Sequence, residues 1–283
     1  MRLLLTNDDG VLAPGLAVLA RHVARWVDEA PAGEVREALV VAPDTNYSGM
    51  SSAVGDVFSR PSVSYKRHVI QGAESIRAYG LDAPPALCTL LGALGSFDYE
   101  PDLVVSGINA GANVGRSILH SGTIGAILTG AQLGLSGLAI SVQWGDDVHY
   151  DTAASVTVEV LNELLEAPSR TLLNLNVPNL VASELKGIRR GRVSTAGLVN
   201  AAGPRAGGEP LGEEGELPLR VGSASPEVGD VSDEEPDDDG ALIRAGYASL
   251  TPLRGPHEDA DTGLDDVMHR ALATISRHLL AQR

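Results

Sequence analysis

Two adjacent carboxylates, Asp8 and Asp9, close the first apolar run of the chain, Leu3-Leu4-Leu5, and Gly10 follows at once. Neighbouring acids repel, and keeping both ionised beside a buried strand end requires a cation or a dense set of donors. An all-oxygen pair suits a hard divalent ion. A solvated turn or a helix N-cap is the other reading that these residues allow by themselves. Further on, the segment from Ser106 to Gly115 alternates Gly107, Gly111 and Gly115 with Asn109 and Asn113. Glycines let backbone N–H groups turn toward a ligand, and each asparagine offers an oxygen to a metal or an amide to an anion. Ser121-Gly122-Thr123 opens an apolar stretch, Ile124 to Leu133, whose helix N-terminus would favour a bound phosphate. Ser121 also reads as a helix cap, and the two roles are compatible. His120, one residue earlier, can reach the leaving-group oxygen or the base of a substrate. The loop Asp44-Thr45-Asn46-Tyr47-Ser48-Gly49 can add hydroxyl or amide oxygens from a third direction, or serve as an ordinary flexible connection.

These residues act together only if the fold brings their loops to one edge. Leu3 to Leu5, Glu37 to Ala42, Leu103 to Val105, Leu138 to Val142 and Leu172 to Val177 read as strands. Helical spacing covers Leu16 to Val27, the stretch through Leu94 opened by Pro84-Pro85, Ile124 to Leu133 and Thr152 to Leu165. Strands alternating with helices predict an α/β fold on a mostly parallel sheet, which binds ligands beyond the carboxyl ends of its strands. Ser62 to Tyr65 and Ser75 to Tyr79 suggest small strands or a hairpin. Tyr247 to Leu253 reads as a further strand, and Gly263 to Gln282 as a final amphipathic helix. The core is expected to comprise residues 1–198 with 241–283. Residues 199–240, rich in Gly, Pro and acids, form an arm in which only Leu217 to Val221 looks strand-like and Asp230 to Asp239 reads as a solvated, mobile tip.

Composition removes several function classes. The chain has 283 residues and a formal net charge of −16, which would repel duplex nucleic acid and anionic membranes. One cysteine, Cys88, excludes an intrachain disulfide framework and reads as a buried apolar residue. With no leader pattern at the N-terminus and no run long enough to span a bilayer, a soluble cytoplasmic protein is expected. No lysine follows Gly122 as in a Walker loop, and the glycine spacing does not fit a dinucleotide fingerprint.

Thr6-Asn7-Asp8-Asp9-Gly10, Ala13-Pro14-Gly15, Val41-Ala42-Pro43-Asp44 with Asn46 and Ser48-Gly49, Ser106-Gly107-Ile108-Asn109 with Gly111, Asn113 and Gly115, Ser121-Gly122-Thr123 with Gly125-Ala126, Asn174 to Pro178, and Gly246-Tyr247 to Pro252-Leu253 follow one another in this order. In these segments the chain resembles the survival-protein-E (SurE) family of metal-dependent nucleotidases. The resemblance implies a phosphatase of nucleoside 5′-monophosphates with one divalent metal per subunit held by Asp8, Asp9, Ser48 and Asn109. It also implies a Rossmann-like three-layer core with a smaller β-rich appendage, and assembly into a homodimer or tetramer. The family usually has a Gly-Thr-Pro-Ala-Asp-Cys segment where this chain reads Ala83 to Cys88, and a tyrosine where His120 stands.

The expected chemistry is metal-assisted hydrolysis of a phosphomonoester, with Mg²⁺ or Mn²⁺ favoured by oxygen ligation. Asp8, Asp9 and Asn113 are the candidate catalytic residues, and either aspartate can be the proton acceptor. Asn113 and the N–H groups of Ser121, Gly122 and Thr123 would hold the phosphate, with Asn46, Ser106, Gly107 and His120 as further substrate contacts. An aspartyl-phosphate mechanism expects an aspartate two residues after the nucleophile, where Gly10 stands. A noncatalytic nucleotide-binding or regulatory protein on the same fold is the second alternative.

Overall fold

The computed structural model of the chain describes residues 1–195 and 235–256. In chain order its elements are β1 (Arg2–Thr6), α1 (Pro14–Asp28), β2 (Glu37–Pro43), β3 (Tyr65–His68), β4 (Arg77–Leu81), α2 (Pro85–Ala93), β5 (Leu103–Ala110), a 3-10 turn (Gly115–His120) and α3 (Gly122–Gln132). There follow β6 (Ser136–Val142), α4 (Tyr150–Leu164), β7 (Leu172–Val177), a short 3-10 turn (Ala182–Glu184), β8 (Ile188–Arg190), α5 (Asp239–Arg244) and β9 (Ala248–Leu253). Among the described residues the strands form one sheet in the order β3-β4-β2-β1-β5-β6-β7-β9-β8. It is parallel from β4 through β7, while β3 on β4 and β9 on β7 are antiparallel. The fold is α/β, as the alternation of strand and helix patterns predicts.

Leu3, Leu4 and Leu5 are all fully buried because β1 has helices on both faces. Leu3 and Leu5 join Leu16, Leu19 and Val23 of α1 and Ala154 and Leu161 of α4 in one core. Leu4 points the other way, to Leu87 and Cys88 of α2 and Ile124 and Ile127 of α3. Helix α1 starts with Pro14 in its first turn, and its next residue must be glycine. A Cβ on Gly15 would stand 2.0 Å from the Ile108 carbonyl oxygen, so the helix start lies against β5.

Three expectations change. The strand expected to end at Val105 runs on to Ala110, with a register shift against β6 between Ser106 and Asn109. Its continuation is hidden in the sequence because Ser106-Gly107 reads as loop, yet a Cβ on Gly107 would sit 2.4 Å from the Ile140 carbonyl oxygen of the neighbouring strand. The small strands between Val54 and Tyr79 do pair as antiparallel β3 and β4, each displaced toward the C-terminus. The end of the acidic run is not solvated. Asp238 and Asp239 are buried, and the Asp239 carboxylate accepts backbone N–H groups from Gly115, Ser194 and Gly240 at 2.9 to 3.3 Å. Donors from distant segments neutralise a charge that the local sequence shows only as one of a repelling run. Leu217 to Val221 and Gly263 to Gln282 lie outside the described residues.

Candidate active site

The turn after β1 is built around Asn7. Its fully buried side chain donates to the Gly10 carbonyl at 2.9 Å and accepts the Gly10 N–H at 3.2 Å, so the two carboxylates between them are displayed on a closed loop. Gly10 itself has φ +115°, a conformation that favours glycine. The Asp8 carbonyl oxygen accepts the Tyr47 N–H at 2.7 Å, and Val11 N–H donates to the Pro43 carbonyl, which ties the loops after β1 and β2 together.

Asp8 is buried, and its Oδ1 accepts the Thr123 hydroxyl at 2.8 Å. Burial pushes its carboxyl up, opposed by that hydroxyl and by the N–H groups of Thr123 and Gly122 at the start of α3. A Cβ on Gly122 would come 2.8 Å from the Asp8 Cβ, so glycine is what admits the carboxylate to the helix terminus. Asp9 is more open. Burial and then repulsion from Asp8 raise it to about 6, against the Ala110 N–H and the Asn46 amide, which donates at 3.3 Å. Asn46 in turn accepts the Ser48 N–H at 2.8 Å, placing the exposed Ser48 beside it. Asn109 donates its amide to the Gly111 carbonyl at 2.6 Å, which leaves its Oδ1 free to ligate.

The candidate metal residues therefore come from the loops after β1 and β2 and from the end of β5. Two crowded carboxylates short of positive charge, with neutral oxygens nearby, fit a hard divalent cation. Among the described residues no three of His, Cys, Asp and Glu cluster here, so the acidic donors at this edge are the pair Asp8 and Asp9.

A model of the survival protein SurE family matches residues 3–199. The chain belongs to the SurE family. It is 37% identical to the 5′/3′-nucleotidase SurE of Cronobacter sakazakii over 99% of this chain and 96% of that one. It is 36% identical to the 5′/3′-nucleotidase SurE of Shigella dysenteriae over 90% of each. The crystal structure of the SurE protein from Aquifex aeolicus superimposes with a TM-score of 0.72 at 27% identity, covering 96% of this chain and 99% of that one.

The residues expected to contact phosphate divide into exposed and buried groups. Ser121 caps α3, its Oγ accepting the Ile124 N–H at 3.2 Å, and the exposed His120 ends the turn before it. Asn113 is nearly buried: its amide donates to Ser141 Oγ at 2.8 Å, its N–H to Asn176 Oδ1, and its carbonyl accepts from Asn174 and Asn176. These bonds tie the loop after β5 to β6 and β7, leaving Asn113 Oδ1 as its remaining polar atom. Ser106 and Gly107, expected among the phosphate contacts, are buried within β5, below the loops that carry the carboxylates. Cys88 is buried and donates to the Ala83 carbonyl, as an apolar core residue should.

Tyr150, at the start of α4, is the group sequence reading missed. Burial and then the Asp9 carboxylate push its phenol up, which places it beside the site. Its only signal in the sequence is an aromatic residue opening a helix, indistinguishable there from a core residue. A cleft of about 560 Å³ lined by Arg60, Tyr65, Tyr79 and Phe97 includes neither aspartate. The candidate site therefore rests on donor chemistry rather than on concavity. No helix among the described residues is long and apolar enough to cross a membrane.

Proposed function

We propose that this chain is a divalent-metal-dependent phosphomonoesterase that hydrolyses nucleoside 5′-monophosphates to nucleoside and phosphate. The observation that carries the reading is the meeting of Asp8 with the N-terminus of α3, a ready anion-binding terminus, with the Asp9 carboxylate crowded beside it. The relatives' names support it, and they extend to 3′-nucleotides.

Asp8, Asp9, Ser48 and Asn109 would hold one Mg²⁺ or Mn²⁺, which when bound stabilises negative charge on the phosphoryl oxygens and acidifies water. On this reading the positive start of α3 would orient the phosphate, with Asn113 and His120 as further substrate contacts. Asp8 is fixed by Thr123 and acts as a ligand, whereas the more open Asp9 can also take a proton from water. Asn46 holds Asp9 and the Ser48 backbone together, a bracing role more than a substrate contact. The dimer or tetramer, the arm at 199–240 and a cytoplasmic location belong to the same reading, and light scattering tests the assembly.

Phosphate release from AMP in Mn²⁺, abolished by a chelator and restored by added metal, is the expected result. AMP binding without release from any phosphomonoester would favour the noncatalytic alternative instead.

A further inference from the structure

The chain has two tryptophans, and the structure treats them oppositely. Trp26 is 2% exposed, with its Nε1 donating to Asn162 at 2.8 Å. Trp144 is 70% exposed. A large ring left in water on a loop is informative when the loop belongs to a site, because it forgoes burial that a core position would give.

The loop does belong to the site. Trp144 lies on the connection from β6 to α4, and both ends of that connection meet the surroundings of Asp9. Val142, at the end of β6, pairs with Ala110, whose N–H acts on the Asp9 carboxylate. Tyr150, where α4 begins, feels that same carboxylate. β6 is two strands from β1 in the sheet, which puts the connection roughly 10 Å across the carboxyl edge from the aspartates. That is the scale of a nucleotide, not of a bare phosphate.

The mount is also held in place. Gln143 N–H donates to the Val177 carbonyl at 2.9 Å. A Cβ on Gly145 would stand 2.2 Å from Asn179 Nδ2, and Asn179 donates to the Asp147 carbonyl while accepting the His149 N–H at 2.8 Å. The backbone is thus pinned on both sides of the tryptophan while its indole stays in solvent. A rigid mount lowers the ordering cost of binding a flat ring.

We propose that Trp144 is the stacking platform for the nucleobase of the substrate, so that this site selects phosphomonoesters carrying a planar heterocycle over those without one. The proposal rests on the phosphomonoesterase reading for the phosphate end and adds the recognition of the other end. Stacking on an aromatic side chain tolerates every base, so the platform discriminates base from no base, not one base from another.

The test compares AMP with ribose 5-phosphate, which keeps sugar and phosphate and lacks the base. In Trp144→Ala the kcat/KM for AMP should fall roughly five- to hundredfold, mainly through KM, while that for ribose 5-phosphate stays within about twofold. Trp144→Phe should keep most of the AMP value. An independent reading comes from the indole itself: rapid mixing with AMP in Mg²⁺ should quench wild-type fluorescence, ribose 5-phosphate should not, and Trp144→Ala should lose the response. Equal losses for both substrates, no loss for either, or an indole unmoved by AMP would overturn the platform. Quenching by AMP without hydrolysis of any phosphomonoester would leave the platform standing and remove the hydrolase reading.

Discussion

Thr123 donates its hydroxyl to the Asp8 carboxylate across 2.8 Å and so joins the first turn of α3 to the end of β1. Both groups are buried, and the bond fixes which oxygen of Asp8 remains for a ligand. Thr123→Val, which keeps the shape and removes the donor, should weaken divalent-cation affinity by about tenfold, in the range for losing a ligand's supporting contact. Thr123→Ser should restore it. Calorimetric titration of the cation reads this directly, and an unchanged affinity in the valine variant would show that the bond does not position Asp8.

Asp9 gives a prediction for the cation-free protein. Its carboxyl rises from 3.8 to about 6 on folding, so between those values the folded chain holds more proton than the unfolded one. Stability from this group is therefore present at low pH and declines as pH rises through that window. In a chelator, the wild-type Tm should drop from about pH 4 to about pH 6 more than that of Asp9→Asn, which lacks the titration. Parallel pH profiles for the two proteins would refute the raised value. Asp9→Asn should at the same time lose most phosphatase activity.

Ser48→Ala and Asn109→Ala remove neutral oxygens, one from the exposed loop after β2 and one from the half-buried end of β5. Each should raise the metal concentration for half-maximal activity while changing unfolding free energy by less than about 0.5 kcal/mol. A fall in activity with unchanged metal dependence would reassign the residue to the phosphate.

Two neighbouring acids should behave differently. Asp239→Asn weakens a buried carboxylate's bonds to N–H groups of Gly115, Ser194 and Gly240 and should cost about 2–3 kcal/mol in urea unfolding. Asp237→Asn loses only an exposed pair with Arg192 at 3.6 Å and should cost less than about 1 kcal/mol. Similar small effects for both would mean that the Asp239 bonds are not holding the segment.

What the sequence makes legible is local. Apolar runs cut off by Asp8-Asp9-Gly10, by Pro43-Asp44 and by the Gly107 to Gly115 segment place strand ends and their loops, because side-chain type and period are short-range signals. What it hides depends on distant partners. Asp239 looks like one more repelling acid until Gly115 and Ser194 supply its donors, and Ser106 looks like loop until Ile140 closes over Gly107. Asn113 reads in the sequence for its chemistry alone, while its bonds to Ser141, Asn174 and Asn176 show it equally fastening the loop after β5 to β6 and β7.

The start of α3 already carries an anion of the protein's own, since Gly122 and Thr123 attend to the Asp8 carboxylate. An incoming phosphate dianion meets the same positive terminus with a negative group in residence beside it. Left alone, the pocket is a poor host for its guest. Whatever neutralises Asp8 and Asp9 must then favour phosphate, and thermodynamic reciprocity requires phosphate to favour that neutralising ion by the same factor. If both bind as proposed, the two ligands are heterotropic partners over a few ångströms, so the affinity of either is a property of the pair, and saturation curves for one should shift leftward as the other is raised.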